Sequence, residues 1–224
     1  MTPSIILTDI EGTTSAIAFV KDTLFPFAEA ALEDFLAARA QDPEVRAILA
    51  DIPGPDPVAQ LRAWMASDAK VTPLKSLQGM IWEAGFRDGR LTGHLWPDVA
   101  PCLHAWHAAG IGLAIYSSGS VGAQKLLFGH SAAGDLTPLF RGFFDTKVGA
   151  KRDAAAYGRI AADLAAPPAA ILFLSDVAEE LDAAAAAGLA TCQLVREADG
   201  TLPSGRHPQA ADFPAVARRF GLPA

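Results

Sequence analysis

The chain has 224 residues, 51% of them hydrophobic, and carries 25 acidic against 18 basic side chains, a formal net charge of −7. This length is enough for one or two domains with a substantial core, and the negative charge disfavours binding to nucleic acid or anionic membranes. Its two cysteines, Cys102 and Cys192, are typical of a reduced interior rather than of a disulfide framework. Charged residues interrupt the N-terminal segment, so no secretory signal is expected, and no apolar run approaches the roughly 20 residues that span a bilayer. We therefore expect a cytoplasmic protein with neither nucleic-acid nor membrane partners. A monomer is also expected, although composition does not decide the oligomeric state.

Three short apolar runs, at residues 4–8, 111–116 and 169–174, end in polar residues, which is typical of buried strands in a parallel sheet. Weaker strands are predicted around 142–145 and 191–195. Helices are predicted over 121–128, 154–164 and 178–186. The alternation of strands and helices predicts an α/β fold with a doubly wound parallel sheet.

No strand-like run occurs between the first and second predicted strands. Helical spacing is found there instead, over 24–40, 43–51, 57–67 and 74–86. We therefore predict a helical insertion over residues 19–95, after the first strand, and an α/β core formed by residues 1–18 and 96–224.

Acidic and hydroxyl residues stand at the ends of the three strongest predicted strands. Asp9 and Glu11 follow the first, Ser117 and Ser118 the second, and Asp176 the third. Because loops at the carboxyl ends of parallel strands converge on one crevice, these side chains are expected to be neighbours. The two-residue spacing of Asp9 and Glu11 also turns both carboxylates to one side of an extended backbone.

Two neighbouring carboxyl groups suit phosphoryl transfer through a covalent intermediate. One carboxylate attacks phosphorus, while the other protonates the leaving oxygen and afterwards deprotonates water. Asp9 and Asp176, with backbone oxygens and waters, are the hard ligands that Mg²⁺ prefers. Residues 117–119 and the start of the next helix can hold phosphoryl oxygens, and Lys151 is the candidate counter-charge in the transition state.

Each of these features also has an interpretation without catalysis. An Asp-x-Glu pair is most often solvated, residues 117–120 can form an ordinary turn or helix cap, and a single lysine such as Lys151 is most often on the surface. Asp176 can cap the following helix, with Glu179 and Glu180 favouring its N-terminal dipole. The combination at three strand ends favours the catalytic interpretation.

Two further groups of residues are weaker candidates. Cys102, His104 and His107 are close enough to suggest a soft-metal site, but no fourth ligand is evident and a helix surface is favoured. Trp82 and Phe86 have helical spacing and fit the core of the insertion better than a substrate platform.

The order Asp9 with Glu11, Ser117, Lys151 and Asp176 resembles the four motifs of the haloacid dehalogenase-like hydrolases. Longer strings resemble one branch of them, the enolase-phosphatase E1 family of methionine salvage. These strings are Asp9-Ile10-Glu11-Gly12-Thr13-Thr14, Phe19-Val20-Lys21-Asp22, Leu77-Gln78-Gly79, residues 116–131 and Phe144-Asp145-Thr146-Lys147. Glu11 supports this branch, because most haloacid dehalogenase-like phosphatases have Asp at that position.

The resemblance implies a Mg²⁺-dependent hydrolase, an acireductone synthase. Such an enzyme enolises 2,3-diketo-5-methylthiopentyl 1-phosphate and then removes phosphate, leaving 1,2-dihydroxy-3-keto-5-methylthiopentene. The implied roles are metal binding for Asp9, Glu11 and Asp176, substrate binding for Ser117, Ser118 and Lys151, and catalysis for Asp9, Glu11 and Lys151. The insertion is implied to be a cap that excludes water. Two alternatives stay open: a phosphatase of the same superfamily for another small phosphate ester, and a non-catalytic module that binds a phosphorylated ligand.

Overall fold

A six-stranded, all-parallel sheet forms the centre of the larger part of the chain in the computed structural model, which describes residues 2–67 and 69–223. Its strands are β1 (Ile5–Thr8), β2 (Gly112–Tyr116), β3 (Phe140–Phe144), β4 (Ile171–Ser175), β5 (Ala190–Leu194) and β6 (Gln209–Ala210). Their order across the sheet is β3-β2-β1-β4-β5-β6. The α/β fold with a doubly wound parallel sheet is confirmed.

The strand β1 lies in the middle of the sheet, between β2 and β4. Ile6 and Leu7 have no exposed surface, as expected for a strand covered on both faces. Thr8 pairs with Ile115 on one side and with Leu174 on the other. Because all three strands run in the same direction, the residues that follow β1, β2 and β4 emerge side by side at one edge of the sheet.

Ten α-helices occur in the described part of the chain. They are α1 (Ile17–Phe19), α2 (Phe25–Ala38), α3 (Pro43–Ala50), α4 (Pro57–Ala66), α5 (Thr72–Arg87), α6 (Val99–Ala108), α7 (Val121–Gly129), α8 (Ala154–Asp163), α9 (Ala178–Ala186) and α10 (Phe213–Phe220). A π-helical turn, Val20–Leu24, joins α1 to α2. Among them, no helix has the length and apolar composition needed to cross a membrane.

Local sequence explains where several helices begin. Asp42 and Asp56 precede a proline, and their carboxylates accept hydrogen bonds from the backbone N–H groups of Glu44 (2.9 Å) and Val58 (3.0 Å). An N-cap carboxylate followed by Pro at the first helical position strongly indicates the start of a helix. Proline has no backbone N–H group, and at this position an N–H group would find no acceptor within the helix.

The chain folds as two compact units, Met1–Ile17 with Gly93–Ala224, and Ala18–Thr92. Over its described residues, 18–67 and 69–92, the regular structure of the second unit is entirely helical, and its core includes Leu32, Leu61 and Leu77, all fully buried. Trp82 packs against that core, and its indole N–H donates to the carbonyl of Leu24 (2.8 Å). The tryptophan therefore has a structural place within the second unit.

Candidate active site

Asp9 is held at the carboxyl end of the central strand by its own backbone. Its N–H donates to the carbonyl of Leu174 (2.9 Å), so the pairing of β1 with β4 continues one residue beyond the strand. Its carbonyl accepts hydrogen bonds from the hydroxyl groups of Thr8 (3.0 Å) and Thr14 (3.2 Å). The carboxylate, only 7% exposed, therefore projects from a rigid backbone position.

Gly12 lets the loop after Asp9 approach the end of β4. The backbone N–H groups of residues 13–15 all donate to the carbonyl of Ile10, which makes the loop a tight turn. Gly12 has a φ of +73°, a left-handed conformation that glycine adopts without strain. A Cβ atom on Gly12 would lie 2.5 Å from Oδ2 of Asp176. The structure thus brings Asp176 against the turn that follows Asp9, as a strand-end neighbour.

Lys151 is buried between two carboxylates. Its Nζ lies 2.7 Å from Oδ1 of Asp9 and 2.7 Å from Oε2 of Glu180, and its side chain is 9% exposed. Burial alone lowers the pKa of the Lys151 ammonium group, but the charges of Asp9 and Glu180 act in the opposite direction and the pKa is raised above its ordinary value. The surface interpretation of this lysine is wrong, and the group stays cationic at neutral pH.

Two tyrosines from the sheet and from α8 hold the loop that carries Lys151. The hydroxyl of Tyr157 donates to the carbonyl of Lys151 (2.7 Å), and that of Tyr116 donates to the carbonyl of Gly149 (3.0 Å). The two rings pack edge to face with centroids 5.4 Å apart. Because both rings are fully buried, the core of the unit fixes the backbone on which the ammonium group depends.

Glu180 is a site residue that sequence reasoning missed. The non-catalytic interpretation of Asp176 treated Glu179 and Glu180 alike, as charges that favour the helix dipole, yet only Glu179 is a surface residue, paired with Arg206 (3.1 Å). Glu180 is 12% exposed and accepts a hydrogen bond from the Ser175 hydroxyl (2.9 Å). Burial and the nearby charge of Asp9 raise its pKa. Helical spacing gives no signal that separates the two, because Glu179 and Glu180 both lie three or four positions before alanines of the run 183–187.

Asp176 has the environment of a metal-binding carboxylate. It does not cap α9, because the N-cap position is Val177 and no side chain caps there. Burial, followed by the charge of Asp9, raises the pKa of Asp176 to about 7. Its Oδ1 is buried and has no hydrogen-bond partner among the described residues. An unpaired carboxylate oxygen beside a second carboxylate is an arrangement that a divalent cation stabilises, so these residues fit Mg²⁺.

In metal-free protein, Asp176→Asn is expected to raise the midpoint of thermal unfolding, and more so as the pH rises. The raised pKa means that Asp176 contributes stability that is fully present below its unfolded value of 3.8 and is lost as the pH rises through about 7. Asparagine cannot ionise and removes this dependence. Thermal melts from pH 4 to 8 in a chelator measure the difference, and added Mg²⁺ should stabilise only the wild type. A difference in unfolding midpoint between Asp176→Asn and the wild type that does not change with pH would contradict this account.

The loop after β2 presents one buried and one exposed serine. Ser117 is 3% exposed, its N–H donates to the carbonyl of Phe144 (3.1 Å), and its Oγ accepts a hydrogen bond from the N–H of Gly119 (3.1 Å). Ser118 is exposed. The helix-cap interpretation applies to Ser120, whose hydroxyl accepts from the first turn of α7, and not to Ser117.

Glu11 lies on the exposed side of the turn that follows Asp9, where its backbone pairs with Ser15. Over residues 2–67 and 69–223, no three His, Cys, Asp or Glu side chains are grouped so that they could hold a metal ion. Glu11 therefore does not complete a three-side-chain set with Asp9 and Asp176 in this structure. A cation at those two carboxylates would fill its remaining positions with backbone oxygens and water.

The soft-metal interpretation of α6 is wrong. Cys102 is buried in the core, whereas His104 and His107 are exposed on the same helix. Burial raises the pKa of the Cys102 thiol to about 11, so it remains protonated and is a poor ligand.

Comparison with known proteins agrees with this geometry. A family model described as haloacid dehalogenase-like hydrolase matches residues 4–188. Enolase-phosphatase E1 of Acidiphilium cryptum (strain JF-5) is 55% identical, with 99% of this chain and 97% of that protein covered. Enolase-phosphatase E1 of Granulibacter bethesdensis is 56% identical, with 99% and 98% covered.

A solved structure is similar over nearly the same length. The crystal structure of the UTR4 protein from Saccharomyces cerevisiae matches with a TM-score of 0.82 and 33% identity, covering 94% of this chain and 98% of that one. These matches confirm the family expected from the strings around Asp9 and Ser117. The chain belongs to the haloacid dehalogenase-like hydrolases and, within them, to the enolase-phosphatase E1 family.

Proposed function

We propose that this chain is an acireductone synthase. It would enolise 2,3-diketo-5-methylthiopentyl 1-phosphate and then release phosphate, leaving 1,2-dihydroxy-3-keto-5-methylthiopentene. The observation that carries the proposal is the buried contact of 2.7 Å between Lys151 Nζ and Asp9 Oδ1, with Asp176 against the same turn. A positioned nucleophile, a counter-charge and a second carboxylate are what phosphoryl transfer needs. The full-length relatives named Enolase-phosphatase E1 support the substrate.

Phosphate release proceeds through a phosphorylated aspartate in this proposal. An oxygen of Asp9 forms a bond to phosphorus while the bond from phosphorus to the substrate oxygen breaks, and Glu11 gives its proton to that oxygen. Glu11 then takes a proton from water, which attacks phosphorus and frees Asp9 and inorganic phosphate. Lys151 holds the attacking carboxylate and offsets negative charge on the phosphoryl group.

Mg²⁺ fits at Asp9 and Asp176. When bound there, it supplies positive charge that reduces repulsion between carboxylate and phosphate and stabilises an enolate of the diketone. Ser117 and Ser118 are assigned to the substrate, where a hydroxyl or backbone N–H can donate to a phosphoryl oxygen.

Glu11→Gln is expected to slow phosphate release by roughly 10²- to 10⁴-fold, the usual worth of a general acid and base. Glutamine keeps the size of the side chain but can neither give nor take the proton. We also assign the enolisation proton to Glu11, because its exposed position and extra methylene give it reach. Stopped-flow absorbance of the enol and a coupled phosphate assay separate the two steps, with Glu197→Gln as an exposed control. Two unimpaired half-reactions would exclude Glu11 from both roles.

The experiment that tests the whole proposal is product identification with the diketone phosphate. When Mg²⁺ is present, phosphate and the ultraviolet absorbance of the enol should both appear. Neither should appear when a chelator removes the metal. Phosphate release from other small esters, with none from the diketone, would instead favour a general phosphatase of the superfamily. Binding without turnover would favour a non-catalytic phospholigand module.

Three broader assignments complete the proposal. The helical insertion is assigned the role of a cap that excludes water during enolisation. Both cysteines are buried free thiols, which suits a reducing cytoplasm. The functional state is assigned as a monomer, which light scattering on the purified protein tests directly.

A further inference from the structure

Gln124 is a buried polar residue to which the proposed mechanism gives no task. It lies in the first turn of α7 and is 1% exposed. Its Nε2 donates to the carbonyl of Gly119 (2.8 Å) and to the carbonyl of Phe144 (2.8 Å). Since Gly119 belongs to the loop after β2 and Phe144 ends β3, a single amide group joins the ends of two neighbouring strands.

The same two segments are joined through Ser117. Its N–H donates to the carbonyl of Phe144, and its Oγ accepts from the N–H of Gly119. A hydroxyl oxygen that accepts from Gly119 directs its own proton away from that N–H, where the proton can be donated to a ligand. The carbonyls that Gln124 binds thus belong to the two residues that fix both the backbone and the hydroxyl of Ser117.

The oxygen atom of the Gln124 amide supports a role for this residue beyond packing. Oε1 of Gln124 is buried and has no hydrogen-bond partner among the described residues. An unsatisfied buried acceptor lowers stability, and an apolar side chain of similar length would avoid that loss. Packing alone therefore does not explain an amide at this position, whereas the need for two donors does.

We propose that Gln124 is a positioning residue that sets the Ser117 hydroxyl for phosphate binding by tying Gly119 to Phe144. The inference rests on the proposed function in assigning Ser117 to the phosphate. Gln124 itself does not touch the reacting atoms. Its effect reaches the substrate through the loop 117–119, so it should act on the affinity for the phosphoryl group.

The test replaces Gln124 with methionine, which keeps the length of the side chain and removes both donors. Inorganic phosphate, titrated in the presence of Mg²⁺ by calorimetry, is expected to bind about tenfold more weakly, the equivalent of one good hydrogen bond. KM for the diketone phosphate should rise by a similar factor. A residue that only supports the fold would instead lower the active fraction, and therefore kcat, while leaving KM and the phosphate Kd unchanged.

Leu127→Ala is the matched control, because Leu127 is a buried residue of the same helix that contributes only packing. It should lower the unfolding temperature without changing the phosphate Kd. If Gln124→Met does not fold, Gln124→Asn takes its place, since the shorter amide cannot reach both carbonyls. In a double-mutant cycle with Ser117→Ala, the losses in phosphate affinity should be less than additive, because both changes remove the same contact.

A phosphate Kd within twofold of the wild type in the Gln124 variants, or fully additive losses in the cycle, overturns the proposal. The outcome is separable from that of the proposed function. If the wild type releases no phosphate from the diketone, that function fails, while the phosphate titrations still decide the role of Gln124.

Discussion

Asp9→Asn should reduce phosphate release by a factor on the order of 10⁴ or more, because the amide cannot form the bond to phosphorus. The side chain keeps its shape, and the backbone bonds that hold residue 9 do not involve the carboxylate. The fold should therefore survive. Single-turnover release of phosphate, with mass spectrometry of the quenched protein to detect phosphorylated aspartate, measures the effect.

Asp163→Asn provides the comparison, because Asp163 ends α8 and is exposed. It should leave the rate unchanged. Full phosphate release by Asp9→Asn would mean that the reaction does not pass through this carboxylate. The proposed chemistry would then need a different nucleophile, such as water.

Lys151→Met is expected to affect both stability and rate. Removing the cation leaves Asp9 and Glu180 as buried carboxylates without their partner, and loss of one member of a buried ion pair lowers the free energy of unfolding by about 3–5 kcal/mol. Loss of the positive charge beside the phosphoryl group should cost a further factor of roughly 10²–10³ in phosphate release. Urea unfolding and steady-state kinetics measure the two effects separately.

The stability loss in Lys151→Met should depend on pH in a defined direction. Burial already raises the pKa of Glu180, and without the ammonium group its carboxyl should hold a proton more tightly still. A carboxyl group whose pKa is raised in the folded state contributes stability at low pH that is lost as the pH rises. The loss of unfolding free energy in Lys151→Met should therefore grow as the pH rises above the ordinary carboxyl range. Lys125→Met, at an exposed lysine of α7, should show neither effect. A deficit that shrinks with rising pH would contradict the electrostatic assignment.

The order of elements could be predicted because apolar runs determine buried parallel strands. The run at 169–174 predicts β4 to within two residues, and α9 begins and ends where helical spacing placed it. The strand β6 has only two residues and no apolar run of its own, so its pairing with β5 depends on tertiary structure. The helix α10 was not predicted, although its sequence carries local signals: Asp212 caps it, and Gly221, with φ +67°, ends it.

The sequence could predict where a site residue lies only when that residue directly follows a strand. Asp9, Ser117 and Asp176 follow strands, so the topology of a parallel sheet places them at one edge. Lys151 and Glu180 differ, because their meeting depends on how the loop before α8 packs against α9. A glutamate in a first helical turn looks the same in sequence whether it faces water or a buried ammonium group.

The central position of β1 has a consequence for biosynthesis. Its first residue, Ile5, pairs with Gly112 and with Ile171, both of which leave the ribosome much later. At roughly 5–20 residues per second, the nascent segment that bears Asp9 waits on the order of ten seconds before its second neighbour has been made. We therefore expect the nucleophile to acquire its surroundings only after β4 has been synthesised, with an apolar strand available to chaperones until then.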